Sequence, residues 1–142
     1  MIGISVTIRN NRLEIIKSAI ENNTDEYDPG SGHLLIYTGI RPSTGYEFDE
    51  YDDFILLVDF ILPNPCCSIN SGILTFEDIQ DTIGLESGTA GWARITDVDD
   101  NFIMDLSVSD LLGSGDIKID SLDISKNGVI HCTIGTITEG NS

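Results

Sequence analysis

Positive charge is scarce in this chain. Seven Lys and Arg stand against 24 Asp and Glu, a formal net charge of −17 over 142 residues. Affinity for nucleic acid comes largely from cations that displace counterions from phosphates, so no nucleic-acid partner is expected. An anionic membrane surface repels such a chain for the same reason. Long apolar runs are missing as well. The longest, Phe54 to Leu62, is interrupted by Asp59 and falls short of the roughly 18 residues of a membrane-crossing helix. The N-terminal stretch Met-Ile-Gly-Ile-Ser-Val-Thr-Ile-Arg has neither the basic start nor the long apolar core of a secretory leader, so synthesis in a cytosol is expected. Cysteine is sparse: Cys66 and Cys67 are adjacent and Cys132 is remote. Three cysteines cannot all pair with one another, and none has the Cys/His spacing of a zinc site. Reduced thiols are the simplest account.

Catalytic signatures are also lacking. Gly30-Ser-Gly32 and Gly113-Ser-Gly115 lack the spacing and the Lys-Ser/Thr pair of a phosphate loop. There is no Gly-x-Ser-x-Gly elbow and no His-Glu-x-x-His pair. His131 precedes Cys132 in an apparent strand, where the two side chains point to opposite faces and cannot form a nucleophile–base pair. No enzyme activity and no cofactor are expected. His33, at the end of a glycine loop, is read as exposed.

One domain of about this length buries enough surface for a single core. Residues 1–142 are read as that one domain, with a helical segment over 1–24 and a β-sandwich over 33–138. Leu13, Ile16 and Ile20 recur at helical spacing, with Ile15 and Ala19 widening the stripe. Asn11 followed by Glu14 resembles a capping box, with a start near Thr7 as the alternative and a stop near Asn22-Asn23. Residues 25–32 read as a loop. Strand signals then take over. His33 to Thr38 is a short strand, and Ser43 to Asp53 an acidic loop. Ile55 to Leu62 is apolar on both faces, as in a central or covered strand. Leu56, Val58, Phe60 and Leu62 are assigned to one of those faces, and the N-terminal helix is a candidate cover. Pro63 and Pro65 end that strand. Gly72 to Phe76 is a strand; Glu77 to Ser87 carries a weak helical pattern.

Thr89 to Val98 and Phe102 to Ser109 form the clearest hairpin. Trp92, Arg94 and Thr96 share one face of its first arm, and Phe102, Met104, Leu106 and Val108 alternate along the second. Asp116 to Ile124 should break near Asp120-Ser121. Val129 to Thr138 closes the chain with Ile130, Cys132 and Ile134 on one face. One helix and about seven or eight strands predict a mainly β fold, an antiparallel β-sandwich or partly closed barrel. No internal repeat and no regular βαβ unit is visible.

Three groups of residues invite chemistry. Asp97, Asp99 and Asn101 alternate as oxygen ligands of a hard cation do, but Phe102 stands where a calcium loop needs Gly and Val108 where it needs Glu. A plain hairpin turn is the simpler reading. Glu47, Asp49 and Glu50, with Asp52 and Asp53, form a solvated acidic loop that could contact a basic partner. Trp92 and Arg94 are placed to stack as a cation–π pair, with packing the simpler role for the ring.

The order of motifs adds a resemblance. An N-terminal helix precedes Leu35-Ile-Tyr37-Thr-Gly39-Ile-Arg41-Pro42. Later come Gly88-Thr-Ala-Gly91-Trp92-Ala-Arg94-Ile95-Thr-Asp97, Phe102-Ile-Met104-Asp105, Asp116-Ile-Lys-Ile-Asp120 and a finish Ile134-Gly-Thr-Ile-Thr138-Glu139-Gly. Across most of its length the chain resembles a family of small virion structural proteins of tailed bacteriophages. Residues 25–32, 47–53 and Cys66–Cys67 look like elaborations particular to this chain. The resemblance implies a non-enzymatic β protein made in the host cytoplasm and built into the virion. As a capsid decoration, or cement, protein it would bind the major capsid protein, as a trimer by the logic of icosahedral lattices. A neck or tail ring component is the alternative. A carbohydrate- or receptor-binding module using Trp92 and the acidic loop is a further one.

Overall fold

The computed structural model describes residues 3–21, 32–42 and 54–138. The expected acidic loop with Glu47, Asp49 and Glu50, the loop over 25–31 and the helix stop at Asn22-Asn23 lie outside the described residues.

The helix α1 (Val6–Ile20) starts earlier than the Asn11 box suggests. Ser5 is its N-cap, and the Ser5 hydroxyl accepts from the Ile8 N–H at 3.2 Å. A Ser before the first turn satisfies one of the orphan amides that every helix start leaves. Leu13 and Ile20 are fully buried, whereas Ile15 is 71% exposed, so the buried stripe is narrower than the sequence suggests. Lys17 pairs with Glu21 at 2.8 Å one turn on.

Twelve strands follow among the described residues: β1 (His33–Tyr37), β2 (Leu56–Ile61), β3 (Cys67–Asn70), β4 (Ile73–Phe76), β5 (Thr82–Ile83), β6 (Gly88–Thr89), β7 (Trp92–Thr96), β8 (Phe102–Ser109), β9 (Ile117–Ile119), β10 (Asp123–Ile124), β11 (Val129–Ile130) and β12 (Cys132–Thr138). Eight of them form one strongly curled half-barrel sheet in the order β2-β1-β7-β8-β9-β12-β4-β3, and β10-β6 and β11-β5 form two small sheets. The mainly β, partly closed barrel with one N-terminal helix is therefore the architecture. Its sheet is mixed: β8 and β9 run parallel, Val108 opposite Ile117. The short return between them is held by Asp116, whose carboxylate accepts from the Ser107 hydroxyl at 2.9 Å while its own N–H donates back to that hydroxyl.

Three register shifts bend the sheet, at Leu57, Ile103 and Thr133, each an extra residue opposite an uninterrupted neighbour. A bulge kinks its strand and increases local twist. The shift at Leu57 puts Leu56 opposite Tyr37 rather than on the Val58 face. The shift at Ile103 turns Phe102 to the face of Thr96, away from Met104 and Leu106. Both correct the face assignments that strict alternation gives.

The core lies on one side of this sheet. Leu34 and Ile36 of β1, Val58 and Phe60 of β2, Ala93 and Ile95 of β7 and Leu106 of β8 merge with Leu13 and Ile20 of α1 in one buried cluster. The helix packs against β3, β4 and β8. The strand β2 lies at one edge of the sheet, not its centre. It is covered from the side, where the Leu85 N–H donates to the Leu57 carbonyl at 2.8 Å.

The hairpin β3–β4 is unexpected from the alternation pattern alone. Asn70 pairs with Ile73 across the two-residue turn Ser71-Gly72, both with positive φ. That is the turn whose twist matches antiparallel strands. The Gly72 N–H donates to the Asn10 side chain at 2.7 Å, which ties the turn to α1. The stretch 77–87 forms no helix, and Ile79 enters the core from a loop. The breaks at residues 120–122 and at His131 divide the last third of the chain into short strands.

Candidate functional site

The opposite face of β1, β2, β7 and β8 carries Trp92 and Arg94, the two candidate residues that share a strand. Register places Tyr37 beside Trp92, Leu35 beside Arg94, and Arg94 beside Asp105. The Trp92 ring stacks on Tyr37 with centroids 5.0 Å apart and meets the edge of Phe54 at 5.2 Å. Its indole N–H donates to the Thr38 carbonyl at 3.1 Å. The residue is 0% exposed. Gly91, just before it, passes so close to Gly39 that a Cβ would lie 1.9 Å from that carbonyl oxygen. Only glycine permits this approach.

Arg94 is 4% exposed. Its Nε and one Nη donate to the two oxygens of Asp105 at 2.8 and 3.1 Å, a bidentate pair. The guanidinium lies 5.3 Å from the Trp92 centroid and 4.6 Å from that of Phe102. The expected Trp92–Arg94 stack is present, and the bulge at Ile103 supplies a second ring. Burial pushes the Tyr37 phenol above its ordinary pKa, partly offset by Arg94.

His33 is half-buried rather than exposed, with Nδ1 2.8 Å from an oxygen of Asp59. Asp59, the polar interruption of the apolar run, was the signal in the sequence for such a partner. A cavity of about 550 Å³ opens on this face between Leu35, Tyr37, Asp59, Arg94, Thr96 and Phe102. Among the described residues the buried Thr96 hydroxyl beneath it meets no hydrogen-bond partner.

The Asp97 carboxylate is occupied by its own turn. One oxygen accepts from the N–H groups of Asp99 and Asn101, both at 2.9 Å, and the other from the Asn101 side chain at 3.0 Å. This is the hairpin turn, closed by Asp100 at positive φ. Among the described residues no three His, Cys, Asp or Glu side chains converge as a metal site would require. No described helix is long and apolar enough to cross a membrane.

Two further sites lie on other elements. His131 pairs with Asp81 at the surface, which holds its pKa above the usual histidine value. Near it, Phe76, Ile79, Cys132 and Gly135 line a cavity of about 350 Å³. Cys66 and Cys67 touch each other near the C-terminal end of α1. No protein-family model, curated protein or solved structure matches the chain.

Proposed function

We propose that this chain is a non-enzymatic virion structural protein of a tailed bacteriophage, made in the host cytoplasm and mounted on the capsid as a decoration protein. One observation carries the reading beyond the motif resemblance. The motif residues are engaged with one another. Tyr37 stacks on Trp92, Thr38 accepts its indole N–H, Gly39 and Gly91 cross in contact, and Arg94 chelates Asp105. A signature used in this way specifies a scaffold. The partner is the major capsid protein, reached from the capsid exterior by a homo-oligomer, a trimer at local three-fold positions. The net charge of −17 supports solubility of free subunits and keeps them off DNA and anionic lipid. A subunit that binds only the assembled lattice stabilises it by mass action.

Stoichiometry in purified virions, measured by mass spectrometry against the major capsid protein, tests this. Copy numbers in the hundreds, near one per capsid subunit or one trimer per three-fold, are expected. A dozen or fewer copies overturns the capsid placement in favour of a neck or tail ring. Absence from particles overturns the virion reading and returns the carbohydrate- or receptor-binding module to first place.

A further inference from the structure

The adjacent cysteines carry a chemistry that the virion reading does not use. In a regular strand neighbouring side chains point to opposite faces. Cys66 lies just before β3 and Cys67 begins it, yet both are buried, at 0% and 2% exposure, and their sulfurs are 3.2 Å apart. The backbone around them is held in place: the Glu77 N–H donates to the Cys66 carbonyl at 2.9 Å, and Cys67 pairs with Phe76. The two thiols are thus preorganised against each other rather than around a third group. Among the described residues no third ligand completes a metal site.

We propose that Cys66 and Cys67 form a reversible dithiol–disulfide site that exchanges with small-molecule disulfides, with Cys132 outside it. The roles of the two sulfurs differ. The hydrogen bond from Cys66 lowers the Cys67 thiol and outweighs burial and Glu21, which raise it, while the same bond and burial raise Cys66. The thiolate is the attacking form. Cys67 therefore attacks one sulfur of the small disulfide, breaks its S–S bond and releases one thiolate. Cys66 gives its proton to that thiolate, attacks the Cys67 sulfur of the mixed disulfide and expels the second thiolate, which takes from water the proton that Cys67 had released. The protein loses two hydrogens, and the small disulfide becomes two thiols. Cys132 has no sulfur partner among the described residues, and burial pushes its pKa up to about 11. Access is local: β3 is the outermost strand of the sheet, covered there by α1. Local opening at a sheet edge costs less than opening at its centre.

The test uses the whole chain in buffers of oxidised and reduced glutathione, incubated until the thiol count stops changing. Acid quench, alkylation and peptide mass mapping then locate the products. Two of the three thiols should disappear, the lost pair should map to one peptide holding Cys66 and Cys67, and Cys132 should remain alkylatable. Dithiothreitol should restore all three. Cys132→Ser should behave the same, which keeps the test independent of the buried single variants. The folded chain should hold the disulfide at a glutathione ratio about tenfold more reducing than the urea-unfolded chain does. Three intact thiols at equilibrium, a linkage to Cys132, or equal midpoints folded and unfolded would each overturn the proposal.

Discussion

Replacing Trp92 by Ala probes the centre of the motif cluster. The indole is fully buried, and removing such a ring costs ~3–5 kcal/mol through lost transfer energy and the cavity left behind. Loss of the N–H bond to the Thr38 carbonyl adds ~1 kcal/mol. The stack on Tyr37 and the edge contact with Phe54 contribute about 0.5–1.5 kcal/mol per pair beyond area, part of it already counted in the cavity figure. A cost of about 4–6 kcal/mol is expected, which lowers the melting point by roughly 10–15 °C or more. Domains are stable by only about 5–15 kcal/mol, so Trp92→Phe is the companion variant. It keeps a ring, loses the indole N–H and should cost about 2 kcal/mol. Because Trp92 is the sole tryptophan, its substitution removes the fluorescence probe. Urea denaturation should therefore be followed by far-UV circular dichroism. A cost below ~0.5 kcal/mol for Trp92→Ala, the range of surface substitutions, would refute the claim that this ring holds β1 and β7 together.

The buried Arg94–Asp105 pair should behave as a unit. Asp105→Ala removes the carboxylate to which the Arg94 Nε and one Nη donate and should cost about 3–5 kcal/mol. Arg94→Met combined with Asp105→Leu should cost clearly less than the two single changes together, and additive costs in a double-mutant cycle would refute the coupling. At the surface, Asp81 raises the pKa of His131 above 6.5. The pair's contribution to stability is therefore full below the unfolded pKa and is lost as pH rises through the higher folded value. An NMR titration should place the His131 midpoint above 6.5, and Asp81→Asn should return it toward that value; an unchanged midpoint in the variant would remove Asp81 as the cause.

Residues whose signal is local were readable in the sequence. The hairpin β7–β8, the strand β1, the break after β9 and the common face of Trp92 and Arg94 all follow from alternation and turn chemistry. The N-cap was missed because Asn11 and Glu14 imitate a start inside a helix that Ser5 had already begun. Bulges are harder still. One extra residue leaves the apolar pattern intact while reversing every face beyond it, which is why Leu56 and Phe102 were assigned to the wrong sides. The hairpin β3–β4 did have a signal, Asn70-Ser71-Gly72, but it sat between a cysteine pair and a short apolar run that hid the first arm. The His33–Asp59 contact joins residues 26 positions apart, and only the pairing of β1 with β2 brings them together.

The bulges also explain why the site has its form. Without the bulge at Ile103, with that residue kept but paired regularly, strict alternation would send Phe102 to the Met104 face, and Arg94 would lose the Phe102 ring. Without the one at Leu57, Leu56 would join Val58 in the core instead of facing Tyr37. Each shift transfers one large apolar side chain from the helix-covered side to the polar face. That face thereby gains enough apolar surface to bury an arginine–carboxylate pair, which requires close packing and full hydrogen bonding to be tolerated. The local bend of the sheet and the placing of Phe102 beside Arg94 therefore occur at the same bulge. It follows that deleting Ile103 would remove the bulge without moving Phe102 to the core side. Phe102 would then directly precede Met104 and stay opposite Thr96 on the face of Arg94. The sheet should flatten locally while the Arg94–Asp105 pair remains covered, and an Arg94–Asp105 pair exposed in the deletion variant would refute this.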